Sequence, residues 1–167
     1  MANDNSFGRT IDFATETVTA TAAGTAVTGF GPDEGLIATL NVTAAVHTTN
    51  ETYDIYLTTS DGVSEWDIAH FPQVATAISA TPKTYTARIS TDIVPQVVTT
   101  ASPGVAAVDP GCLETDTAGS AQGAETLAAG SVRHGLHADR INWRCVLAGT
   151  DASPSITFSI VLTAVPR

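Results

Sequence analysis

The densest gathering of residues able to hold a metal or move a proton is Arg133-His134-Gly135-Leu136-His137-Ala138-Asp139-Arg140. His134 and His137 could supply two nitrogen ligands and Asp139 an oxygen, but a zinc-type site needs converging ligands and no further donor is anchored beside them by a recognised spacing. The expectation is therefore structural. Gly135 frees the backbone of a turn that enters a strand, and Asp139 and Arg140 pair across strands or between subunits.

Nucleophiles are no better served. Ser64 and Ser131 lack an elbow motif, Cys112 lies in a Gly/Pro-rich stretch, and Cys145 falls on the inward side of an alternating segment. A Cys112–Cys145 disulfide is compatible with their separation, yet two free thiols are the simpler account where the start of the chain shows no export signal. Asp33-Glu34 sits in a glycine turn and Asp61 shapes a hairpin, so backbone hydrogen bonding accounts for these acids without calcium or glycoside chemistry. Asn41-Val42-Thr43 and Asn50-Glu51-Thr52 fit the glycosylation pattern by the chance pairings of a threonine-rich chain. No catalytic residue, metal or cofactor is expected.

The elements that would have to position any such group are strands. In Ser155–Ala164, Ile156, Phe158, Ile160 and Leu162 point one way while Ser155, Thr157, Ser159 and Thr163 mostly point the other, and in Ile141–Leu147 the residues Ile141, Trp143, Cys145 and Leu147 turn inward while Asn142 and Arg144 turn outward. Leu36–Val46 reads as a long strand with Leu36, Leu40, Val42, Ala44 and Val46 in phase. Tyr53–Thr58 and Trp66–Phe71 form a hairpin about Asp61-Gly62, and short strands follow at Thr15–Ala20, Thr25–Thr28, Lys83–Ser90, Ile93–Thr99 and Ser131–His134. Repeated strands with Gly/Pro/Asp turns and no βαβ signature predict an all-β, antiparallel β-sandwich of jelly-roll type. An immunoglobulin-like sandwich is the nearest competitor, but its Cys-Trp-Cys arrangement is absent.

The 167 residues, 43% apolar, suffice for one domain with a real core. Seven basic residues against seventeen acidic ones give a formal charge of −10, which disfavours nucleic acid, and no run reaches the ~18 apolar residues of a membrane helix. The opening Met1-Ala2-Asn3-Asp4-Asn5 predicts synthesis in the cytoplasm. Residues 1–13 read as an N-terminal arm and 14–167 as a single sandwich with a long loop at 100–130. Phe7, Ile11 and Phe13 of the arm, with Val105, Val108, Leu113 and Leu127 of the loop, are apolar residues that a ring of subunits could bury between its members. They are the expected interface, in a homo-oligomer with a trimer favoured.

Thr59-Ser60-Asp61-Gly62-Val63-Ser64-Glu65-Trp66 resembles the Asp-box hairpin at Asp61 and Trp66, and it occurs once. Together with Tyr53, Tyr56 and Tyr85, Trp66 is a candidate stacking platform for sugars, which would make the chain a carbohydrate-binding module on a virion surface. More broadly, the run Leu36–Thr43, the hairpin from Asp61 to Phe71, the run Ala129–Gly135 and the closing Ser155–Val165 strand resemble small virion structural proteins of tailed bacteriophages, most of all capsid decoration or cement proteins. The resemblance implies a non-enzymatic protein on the capsid exterior that bridges shell subunits, with the major capsid protein or other virion proteins as partners. A head-tail connector or tail structural protein is the alternative it leaves open.

Overall fold

A computed structural model of the chain describes residues 9–30, 35–90, 96–99, 106–108, 116–117, 127–135, 139–150 and 152–165. The described residues form strands β1 (Thr10–Val18), β2 (Ala22–Ala23), β3 (Val27–Thr28), β4 (Gly35–Ala45), β5 (Thr52–Ser60), β6 (Ser64–His70), β7 (Lys83–Ile89), β8 (Gln96–Thr99), β9 (Ala106–Val108), β10 (Asp116–Thr117), β11 (Ser131–His134), β12 (Arg140–Ala148) and β13 (Ile156–Val165). They pair antiparallel in two sheets. Sheet A has the order β1-β13-β4-β7, and sheet B the order β2-β12-β5-β6-β11-β8-β9, with β3 beside β12 and β10 beside β6. The architecture is an all-β, two-sheet antiparallel sandwich.

The alternation of β13 places Ile156, Phe158, Ile160, Leu162 and Ala164 in the core, where they meet Leu36, Ala38, Leu40 and Val42 of β4. Sheet B contributes Tyr53, Ile55 and Leu57 from β5 and Ile141, Trp143 and Cys145 from β12. The rings of Phe158 and Trp143 meet edge to face at 5.1 Å across the sandwich, joining one sheet to the other.

One expected phase fails inside β4. Val42 lies opposite Phe158 but Ala44 opposite Thr157, so β4 carries an extra residue at Thr43 where β13 has none. This bulge reverses the alternation beyond it. Ala45, not Ala44, enters the core, and Val46 is 40% exposed.

The two sheets are tied at their margins. The Arg9 guanidinium donates to the Thr28 and Gly29 carbonyls while the Arg9 carbonyl accepts from Ala164 N–H, which fastens the start of β1 to the end of β3 and to β13. At the opposite margin Gly135 N–H donates to the Ser90 carbonyl, and Ser90 N–H donates to Nδ1 of His134. Residues 10–13 of the expected arm are thus part of β1, with Phe13 buried and Ile11 packed against the core. Residues 1–8 lie outside the described residues.

Candidate functional site

Strand alternation assigns half of sheet B's side chains to its outer face, and this face carries charge. Arg144 on β12 lies opposite Tyr56 on β5, Tyr56 opposite His70 on β6, and His70 opposite Ser131 on β11, so one register row crosses four strands. A second bulge completes the group. Ala69 pairs with Leu57 but Asp67 pairs with Thr58, leaving Ile68 as the extra residue of β6. In a regular strand Asp67 and His70 would face opposite ways; the bulge puts both on the outer face.

The result is a layered stack. The Arg144 guanidinium lies 4.3 Å from the Tyr56 ring centroid, and the Tyr56 ring stacks on the His70 imidazole at 4.0 Å and 26°. A carboxylate closes each end. Arg144 donates from one terminal nitrogen to both Asp67 oxygens at 2.8 and 3.0 Å, and His70 Nε2 lies 2.9 Å from Asp54 Oδ1. Gln73 Nε2 donates to both Asp54 oxygens, and His70 Nδ1 lies 2.6 Å from the Leu127 carbonyl. Asp67, His70, Tyr56 and Arg144 are all buried, although a sheet's outer face is ordinarily hydrated.

Burial and pairing compete in the electrostatics. Burial raises the Asp67 carboxyl above its ordinary value against the opposing pull of Arg144. Burial would also raise Asp54, but the hydrogen bonds from His70 and Gln73 outweigh it and hold that carboxyl low. Tyr56 is pushed up by burial and by Asp54. Removing one partner of a buried pair of this kind leaves an uncompensated charge.

The sequence candidates fall elsewhere. His134 accepts from Ser90 N–H and Asp139 Oδ1 accepts from Gly29 N–H at 3.3 Å, so the fold uses each separately; His137 lies outside the described residues. Burial, with Arg88 adding to it, lowers the His134 pKa. Among the described residues no group of three or more His, Cys, Asp and Glu could hold a metal ion. The Cys145 thiol is free and buried, and burial pushes it up to about 12, far from a reactive thiolate. Cys112 and Asp33-Glu34 lie outside the described residues. Asp61 is held low by the Ser64 and Val63 N–H groups that it caps at 2.7 and 2.8 Å, and Gly62 supplies the positive φ of 94° that the turn demands.

Of the aromatic candidates, Tyr53 is fully buried and its hydroxyl bridges the Val46 carbonyl and Ser155 N–H. Tyr56 is buried and its ring is engaged by Arg144 and His70. Trp66 and Tyr85 are half-buried on different sheets. Of the expected interface residues, Phe13 and Leu127 are buried within the chain's own body and Ile11 packs against the core; Val108 belongs to β9, and Phe7, Val105 and Leu113 lie outside the described residues. A groove of about 380 Å³ opens beside β2, where residues 16–25 line it together with Trp143. Its side chains are mostly threonine and alanine, with Glu16 as the charged group.

No family model and no curated protein matches the chain. A structure of infectious bursal disease virus, Gt strain, aligns with 96% of this chain and 42% of its own at 10% identity, with a TM-score of 0.29. That score lies below the level of a shared fold, and this chain spans less than half the length of the one it is compared with.

Proposed function

We propose that the chain is a non-enzymatic structural protein of a virion, a jelly-roll-type sandwich that decorates the capsid and stabilises it by bridging shell subunits. One observation carries the reading: the described groups best suited to chemistry are committed to architecture. Arg144 and Asp67 neutralise one another, His70 joins Asp54 to Leu127, His134 closes the β7–β11 margin, and Cys145 is packed into the core. A body organised in this way acts through its shape and surfaces. Bridging proteins stabilise an assembly by binding its assembled state, so their effect grows with occupancy.

The proposed contacts to neighbouring subunits use Phe7, Val105, Val108 and Leu113, in a cyclic and preferably trimeric arrangement. The major capsid protein is the proposed partner, and a connector or tail position would use the same body against different neighbours. The test is binding of purified protein to particles that lack it, followed by heating. Saturable binding with a raised disruption temperature is expected. Particles that fail to bind the protein, and that are no less heat-resistant without it, would rule out the bridging role.

A further inference from the structure

We infer that His70 is a pH-sensitive latch that holds the Leu127–Gly130 turn, and with it the start of β11, against sheet B. Both ring nitrogens of His70 face groups that can only accept. Nδ1 lies 2.6 Å from the Leu127 backbone carbonyl, and Nε2 lies 2.9 Å from Asp54 Oδ1. Asp54 also accepts from Gln73 through both oxygens, so it is the carboxylate that His70 meets. Both contacts are hydrogen bonds only when the imidazole carries two protons.

Loss of one proton to solvent leaves a lone pair facing either the Leu127 carbonyl or the Asp54 carboxylate. One attractive contact then becomes a repulsive one, in a site where His70 is 6% exposed and water cannot readily substitute. Among the described residues, the charged groups beside it include Asp67 on β6 itself, Arg144 on β12 and Arg133 on β11, with the Tyr56 phenol on β5; Glu65 and Arg140 lie further along the same face. The same His70 also holds the turn through its backbone, whose carbonyl accepts from Gly130 N–H at 2.9 Å, and Ser131 N–H closes the turn on the Ala128 carbonyl. The latch is therefore closed with His70 charged and opens as pH rises. This inference does not depend on the virion reading.

Amide exchange of the full chain tests it, read by NMR at Gly130 and Ser131 between about pH 5 and pH 9 and corrected for the intrinsic pH dependence of exchange. Wild-type protection at Gly130 is expected to fall about tenfold or more across that range, a change of the size that losing one charge-assisted hydrogen bond produces. His70→Gln should be flat. Asp54→Asn should also flatten the profile, because its amide can donate to a neutral Nε2. His134→Gln should keep the wild-type slope. Imidazole nitrogen shifts of the wild type provide a readout that does not depend on any variant folding. Two protonated nitrogens on His70 at the acid end support the latch; a single neutral tautomer there, or protection that is independent of pH in the wild type, overturns it.

Discussion

On the outer face of sheet A, Thr17 meets Thr157 at 3.0 Å, Thr10 meets Thr163 at 3.5 Å, and Thr84 donates to Asn41 at 3.4 Å, all at exposed positions. On the outer face of sheet B the corresponding positions carry Arg144, Tyr56 and His70, stacked and buried between Asp67 and Asp54. Both faces arise from the same alternation of apolar and polar residues about one shared core. The polar half of an alternating strand therefore specifies the side away from the core without specifying water. Hydroxyls on sheet A exchange partners with solvent at little cost, whereas the ion pairs of sheet B require every partner to be present.

Substitutions can calibrate the two faces against the core they share. Phe158→Ala removes the ring that meets Trp143 across the sandwich, and urea unfolding should show a loss of about 3–5 kcal/mol. At the sheet B margin, a methyl group added at Gly24 would sit 2.2 Å from Trp143 Nε1, so Gly24→Ala should cost about 1–3 kcal/mol in the same assay.

Acid should act through the carboxylates that the fold holds low. Glu51 is held at about 2, chiefly by Thr49 N–H and further by Thr48 N–H, and Asp54 and Asp61 are lowered as well. Their folded values lie below their unfolded ones, so their stabilisation is complete above the ordinary carboxylate range and disappears as pH falls through it toward about 2. Melting temperature should decline over that window, and less steeply in Glu51→Gln.

The smallest effects separate the faces most finely. Thr58 on sheet B is 1% exposed and its hydroxyl finds no partner among the described residues, so Thr58→Val should be neutral or stabilise by up to about 1 kcal/mol. Thr157→Val on sheet A should change unfolding by no more than about 0.5 kcal/mol, since its hydroxyl partner Thr17 is exposed.

Much of the sandwich was legible in the sequence because period-two alternation survives wherever pairing is regular. Ile156 to Leu162 and Ile141, Trp143 and Cys145 face inward as the pattern requires, and the Asp61-Gly62 turn joins β5 to β6. Reading failed at bulges. The extra residue at Thr43 moved Ala45 into the core in place of Ala44, and the one at Ile68 brought Asp67 and His70 to the same face. Alternation marked Arg144 as outward-facing, while His70, Asp54 and Asp67 stood out only as members of strands. The direction of Arg144 was readable, but its burial depends on Asp67, seventy-seven residues away in the chain. A strand with two polar residues three apart, Asp67 and His70, was the available signal for a bulge.

A double-mutant cycle on Arg144 and Asp67, measured by urea unfolding at neutral pH, tests most directly whether the outer face of sheet B is a buried ionic layer. Arg144→Met alone should cost about 3–5 kcal/mol by stranding the buried Asp67 carboxylate, and adding Asp67→Leu should restore most of that loss. A single-variant loss within about 0.5 kcal/mol, with the two substitutions additive, would place this pair among hydrated surface charges and contradict the account.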